Sequence, residues 1–116
     1  MALQRTNLGY PAYLGTYPAA AVYTNAATVS AYVKGIFLHN TTTNTASVSV
    51  YIVPNGSSAG LSNRIYQVSL QGQETLLLPF GVDQYPFTLI TAGDSVQANA
   101  SLASTVVSYV VGDKSY

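Results

Sequence analysis

The chain is 116 residues long, enough for one domain and too few for two. It has no cysteine, which excludes disulfides and thiolate metal sites, and only 7% of its residues are charged, with a formal net charge of zero. Nucleic-acid binding needs several cations on one face, whereas the basic residues here are spread as Arg5, Lys34, Arg64 and Lys114. Ser, Thr, Asn and Gln stand in for surface charge, which suits either a neutral, hydroxyl-rich surface or one largely covered by partners. No apolar run is long enough to cross a membrane, and "MALQRTNLGYPAY" lacks the apolar core of a signal peptide. The sequence therefore predicts a protein made in the cytoplasm, with no signal peptide, no membrane partner and no nucleic-acid partner.

The first distinctive stretch is "GYPAYLGTYPAA", residues 9–20, with three tyrosines, two prolines and no charge. Pro11 and Pro18 bias Tyr10 and Tyr17 toward extended backbone. The composition is too aromatic for an idle tail. The prediction is an extended N-terminal arm over residues 1–20 that docks on a neighbouring subunit or on a shell. A β-sandwich domain over residues 21–116 should fold without it.

Period-two alternation follows. "TVSAYVKGIFLHN" is apolar on both parities, as a central strand would be. "ASVSVYIVP" puts Val48, Val50 and Ile52 on one face and Ser47, Ser49 and Tyr51 on the other. "NRIYQVSLQ" aligns Tyr66, Val68 and Leu70; "ETLLLPF", "FTLIT", "DSVQANA" and "STVVSYVVG" complete the set. The turns between them read "NTTTNT", "PNGSSAG", "QGQ", "AGD" and "ASLAS". No run has helical spacing. About eight short strands predict an all-β fold, a single antiparallel β-sandwich of jelly-roll or immunoglobulin-like type. Its core is expected from Val22, Val33, Ile36, Leu38, Val48, Val50, Ile52, Val68, Leu70, Leu76, Leu78, Leu89, Val96, Val107 and Val111, or from their neighbours if a register slips by one.

Catalytic patterns are missing from the sequence. His39 is the single histidine, and no G-x-S-x-G elbow is present. His39 reads as a strand-end residue bonded to a loop. Glu74, Asp83, Asp94 and Asp113 are scattered, without the pairing that glycoside hydrolysis or calcium requires. Asp94 reads as a turn acid that caps the backbone ahead of a strand. The expectation is a protein that is not an enzyme and has no cofactor or metal. The ten tyrosines are the most informative residues. Tyr32, Tyr51, Tyr66 and Tyr109 fall inside strands; Tyr10, Tyr13, Tyr17, Tyr85 and Tyr116 fall outside and are the candidate partner-binding residues.

The order "YVKGIFLHNTTTNTASVSVYIVP", "NRIYQVSLQGQETLLLP", "LITAGDSVQANAS" and "VVSYVVG" resembles small β-sandwich structural proteins of tailed-bacteriophage virions, including decoration or cement proteins. The resemblance spans residues 22–112, and its most specific part is "GQETLLL" followed by "AGDSVQANAS". It implies a virion location, a homotrimer, and the major capsid protein or other virion subunits as partners. The function expected from it is to bind and stabilise the capsid surface. The alternative is a tail or host-adsorption module that binds carbohydrate through Tyr85 and the "NTTTNT" and "PNGSSAG" loops.

Overall fold

The computed structural model describes residues 3–8, 11–26, 29–82, 85–89 and 92–115, with residues 3–7, 81, 82, 85–88 and 115 described by their backbone. The strands are β1 (Leu3–Asn7), β2 (Ala12–Tyr13), β3 (Ala20–Thr24), β4 (Ser30–Asn40), β5 (Ala46–Val53), β6 (Arg64–Leu70), β7 (Thr75–Pro79), β8 (Gly81–Val82), β9 (Tyr85–Leu89), β10 (Ser95–Ala100) and β11 (Val106–Ser115). One 3₁₀ turn, Leu61–Asn63, leads into β6.

Two antiparallel sheets face each other. The front sheet runs β1-β11-β4-β9-β8, with β2 also on β11 and β7 also on β4; the back sheet runs β3-β10-β5-β6. The pairings are concentric along the chain. β1 and β2 pair the last strand, β11; β3 pairs β10; β4 pairs β7 and β9; β5 pairs β6. A long hairpin folded over on itself has this pairing, and its two-sheet form is the jelly roll. Of the two sandwich types expected from the sequence, the strand order is that of the jelly roll.

The inner faces are Val- and Leu-rich. Val33, Ile36, Leu38, Val48, Val50, Leu70, Leu78, Leu89 and Val96 are buried as expected, with Val22, Ile52, Val68 and Leu76 packed against them. β11 differs from expectation. Val106 and Val110 point inward at 0% exposure, so Val107 and Val111 lie on the outer face. The sequence has valine at both parities of this strand, and the inward parity includes Ser108, which is buried, rather than Tyr109. Polarity at one position misdirects the register because a one-residue slip exchanges the faces.

β4 also departs from simple alternation. Val111 pairs Gly35 and Gly112 pairs Val33, so Lys34 is the extra residue of a bulge. The bulge switches parity between Val33 and Ile36, both fully buried. It also requires a glycine opposite, since a Cβ on Gly112 would lie 2.2 Å from the Tyr32 carbonyl oxygen.

Residues 3–8 and 12–14 are extended, as an arm would be, but they run along the chain's own β11. Leu8 and Leu14 enter the core at 3% and 5% exposure, and their N–H groups donate to the Val110 and Val106 carbonyls. The pairing therefore crosses the boundary drawn at residue 20. β1 and β2 hold the first strand position of the jelly roll, where the sequence pattern suggested a separable appendage.

Candidate interaction surface

The front sheet turns a ladder of side chains outward. In its first row Tyr13, Val107, His39 and Thr75 lie side by side on β2, β11, β4 and β7. The next row is Tyr109, Phe37 and Leu77, and the next is Val111, Gly35 and Pro79. Their sequence neighbours Val106, Ile36, Leu38 and Val110 are fully buried on the other side, which fixes the orientation. Phe37 and Tyr109 stack with ring centroids 4.9 Å apart. Tyr13 is 55% and Leu77 47% exposed. His39 Nδ1 lies 2.7 Å from Thr75 Oγ1, so its partner is a cross-strand residue where the sequence suggested a loop.

One ion pair borders this ladder beyond the bulge. Lys34 Nζ sits 3.1 Å from Asp113 Oδ2, with the lysine largely in water and the carboxylate largely out of it. The two charges offset each other. Antiparallel sheets that meet water on one side ordinarily alternate apolar-in and polar-out. This face breaks that rule, and an apolar outer patch marks a contact surface.

The back sheet follows the rule over most of its outer face, which carries Ser47, Ser49, Gln67, Ser69, Gln97 and Asn99 between inward residues such as Val48, Val50, Ala98 and Leu70, with Tyr51 and Ile65 as its apolar members. Gln97 Nε2 donates to Ser95 Oγ at 3.1 Å.

Two buried asparagines join the sheets, one at each end. Asn40, at the end of β4, donates from Nδ2 to the carbonyls of Asn44 (2.6 Å), Leu70 (3.3 Å) and Gln71 (3.1 Å). Its Oδ1 accepts from the Thr42 N–H and hydroxyl. This shapes the "NTTTNT" turn and ties it to the back sheet. Asn25, after β3, donates to the carbonyls of Val29 (2.8 Å) and Leu89 (2.9 Å), and accepts from the Tyr23 hydroxyl at 3.2 Å.

The sequence-predicted tyrosines are scattered. Tyr13 belongs to the front ladder. Tyr17 is 81% exposed in the loop between β2 and β3. Tyr85 begins β9 with its backbone opposite Val82; its side chain, and residues Tyr10 and Tyr116 altogether, lie outside the described residues. The members of the ladder that sequence reading missed are Phe37, Leu77, Val107, Tyr109 and Val111. The available signal was the apolar character of both parities in β4 and β11.

The proposed glycan loops do not converge. "NTTTNT" precedes β5 and "PNGSSAG" follows it, so they occupy opposite ends of the sandwich. Asp94 lies at the latter end, where its Oδ1 accepts the Asn55 N–H at 2.9 Å. Among the described residues, no group of three or more His, Asp or Glu side chains is placed to hold a metal, and no helix is long and apolar enough to cross a membrane. No protein-family model matches the chain, and no curated protein matches it.

Proposed function

We propose that this chain is a non-enzymatic structural virion protein that binds and stabilises the outer surface of a tailed-phage capsid through its front sheet. The observation that carries the reading is the outward ladder of Tyr13, Val107, Phe37, Tyr109 and Leu77, with its one ion pair self-neutralised. An apolar aromatic ladder fits another protein surface: it offers large contact area from side chains with few rotatable bonds. The jelly roll is compatible with this role and with many others, so the fold alone assigns nothing. The virion location, the capsid as partner and a homo-oligomeric state rest on the sequence resemblance.

Co-sedimentation with purified capsids tests the proposal. The full chain should pellet with capsids and ignore an array of glycans. Tyr109→Lys should weaken pelleting about tenfold or more, because it buries an ammonium in an apolar contact. Pelleting that is unaffected by Tyr109→Lys, or absent for the full chain, would sink the reading.

A further inference from the structure

The chain holds seven asparagines, and Asn55 alone among them is followed by glycine. An asparagine loses its side-chain amide when the backbone nitrogen of the next residue attacks its Cγ and closes a ring. The attack is favoured by a next residue with no side chain to crowd the approach, by an N–H that no other bond holds, and by an exposed turn that can rotate. Asn55 meets all of these conditions.

Asn55 and Gly56 are the central residues of the turn that opens the "PNGSSAG" loop after β5, with Gly56 at φ +85°. One backbone bond closes this turn, from the Ser57 N–H to the Pro54 carbonyl at 3.0 Å. Among the described residues the Gly56 N–H has no partner, and the space where a Cβ would stand on Gly56 is open. Asn55 is exposed. Its own N–H is anchored ahead of the turn, donating to Asp94 Oδ1 at 2.9 Å. Its carboxamide rests on Gly93, where a Cβ would come within 2.4 Å of Oδ1. The reacting carbon is thus held at the surface against one glycine and next in sequence to another.

The other asparagines with described surroundings each lack a condition. Asn25 and Asn40 are buried, with Nδ2 bound to backbone carbonyls. Asn63 is tied at both ends: Nδ2 donates to the Ser58 carbonyl and Oδ1 accepts the Gly60 N–H, each at 2.9 Å. Asn99 precedes Ala100, whose N–H donates to the Gly15 carbonyl. Asn44 is exposed but precedes Thr45, whose branched Cβ crowds the attacking nitrogen.

We propose that Asn55 is a self-modification site, converted without enzyme or cofactor to an aspartyl or isoaspartyl residue. The Gly56 nitrogen bonds to Asn55 Cγ, the Cγ–Nδ2 bond breaks, and Nδ2 leaves as ammonia with the proton that the Gly56 nitrogen gives up. Water then opens the ring at one of its two carbonyls. Its hydroxyl goes to that carbon and its proton returns to the Gly56 nitrogen. The chain gains a carboxylate near Asp94, and its formal net charge falls from zero to minus one. The inference makes no use of the front sheet and stands apart from capsid attachment.

Storage of the full chain at mildly alkaline pH, followed by isoelectric focusing and fragment mass spectrometry, tests it. A more acidic species should accumulate, about 1 Da heavier, with the change confined to residue 55. Gly56→Ala should slow its formation about tenfold or more, since a Cβ then crowds the attack. Asn55→Gln should remove it over the same period, because the longer side chain would have to close a larger ring. Both positions are exposed, so both variants should keep a cooperative thermal transition. Absence of the acidic species overturns the proposal, as does earlier conversion at Asn44 or another asparagine, or a rate unchanged in Gly56→Ala.

Discussion

The outer face of the front sheet shows water Tyr13, Phe37, Leu77, Val107 and Tyr109; the outer face of the back sheet shows Ser47, Ser49, Gln67, Ser69 and Gln97. Both sheets are antiparallel and both close the same core, so strand geometry does not account for the contrast. The back sheet is soluble through hydroxyls and amides. The front sheet keeps apolar area in water, which a free monomer has no structural reason to do. The comparison teaches that low charge takes two different forms within one chain: a mainly polar face of hydroxyls and amides on one side and an apolar, aromatic one on the other.

The contrast can be broken hardest by removing strands that serve the front sheet alone. Deleting residues 1–14 strips β1 and β2 from β11 and takes Leu8 and Leu14 out of the core. We expect loss of the cooperative thermal transition, because each buried leucine removed costs about 2–5 kcal/mol against a total stability of about 5–15. A truncated chain that melts like the parent would restore the view of these residues as an appendage.

The tie between the sheets comes next. Asn40→Ala takes the Nδ2 donor from the Leu70 carbonyl and the Oδ1 acceptor from the Thr42 N–H, while the Gln71 carbonyl keeps the Glu74 N–H. We expect a loss of about 3 kcal/mol, measured by urea unfolding, since each buried polar group left unpaired costs about 1–3 kcal/mol.

The faces themselves respond more weakly. Phe37→Ala removes the stack on Tyr109 and should cost about 1 kcal/mol. Ser49→Ala, at a comparable position on the back sheet, should stay within about 0.5 kcal/mol. Equal effects in the two variants would erase the distinction between the faces.

Smallest is Lys34→Ala. The exposed ammonium and its screening limit the expected loss to about 1 kcal/mol or less. The loss should shrink further at high salt, and a salt-independent change would show that the lysine stem matters more than its charge.

β5 was the most legible element. Its serines and valines alternate without exception over "ASVSV", and the structure buries Val48 and Val50 as that pattern requires. β11 was legible as a strand and illegible in register, because adjacent valines satisfy either face and Ser108 takes the inward place. β4 hid its bulge at Lys34, since only the partner strand reveals that a residue has been skipped. The front ladder was hidden for a related reason. Apolar residues on both parities were taken as a sign of a central strand, which β4 is. They were equally the sign of an apolar outer face. Leu8 and Leu14 were missed as core because local reading sees proline and tyrosine around them. Their burial depends on a strand about a hundred residues away.

That distance has a consequence for how the protein comes into being. Leu3 lies opposite Ser115, and every other long pairing nests inside that one. On the ribosome β1 and β2 emerge first and find no partner until β11 has been synthesised, a wait of roughly 5–20 s at about 5–20 residues per second. The hairpin of β5 and β6, nearest in sequence among the long strands, can close early. The shell around it must be laid down from the middle outward, and the nascent chain holds its aromatic leader unshielded until the final strand is released.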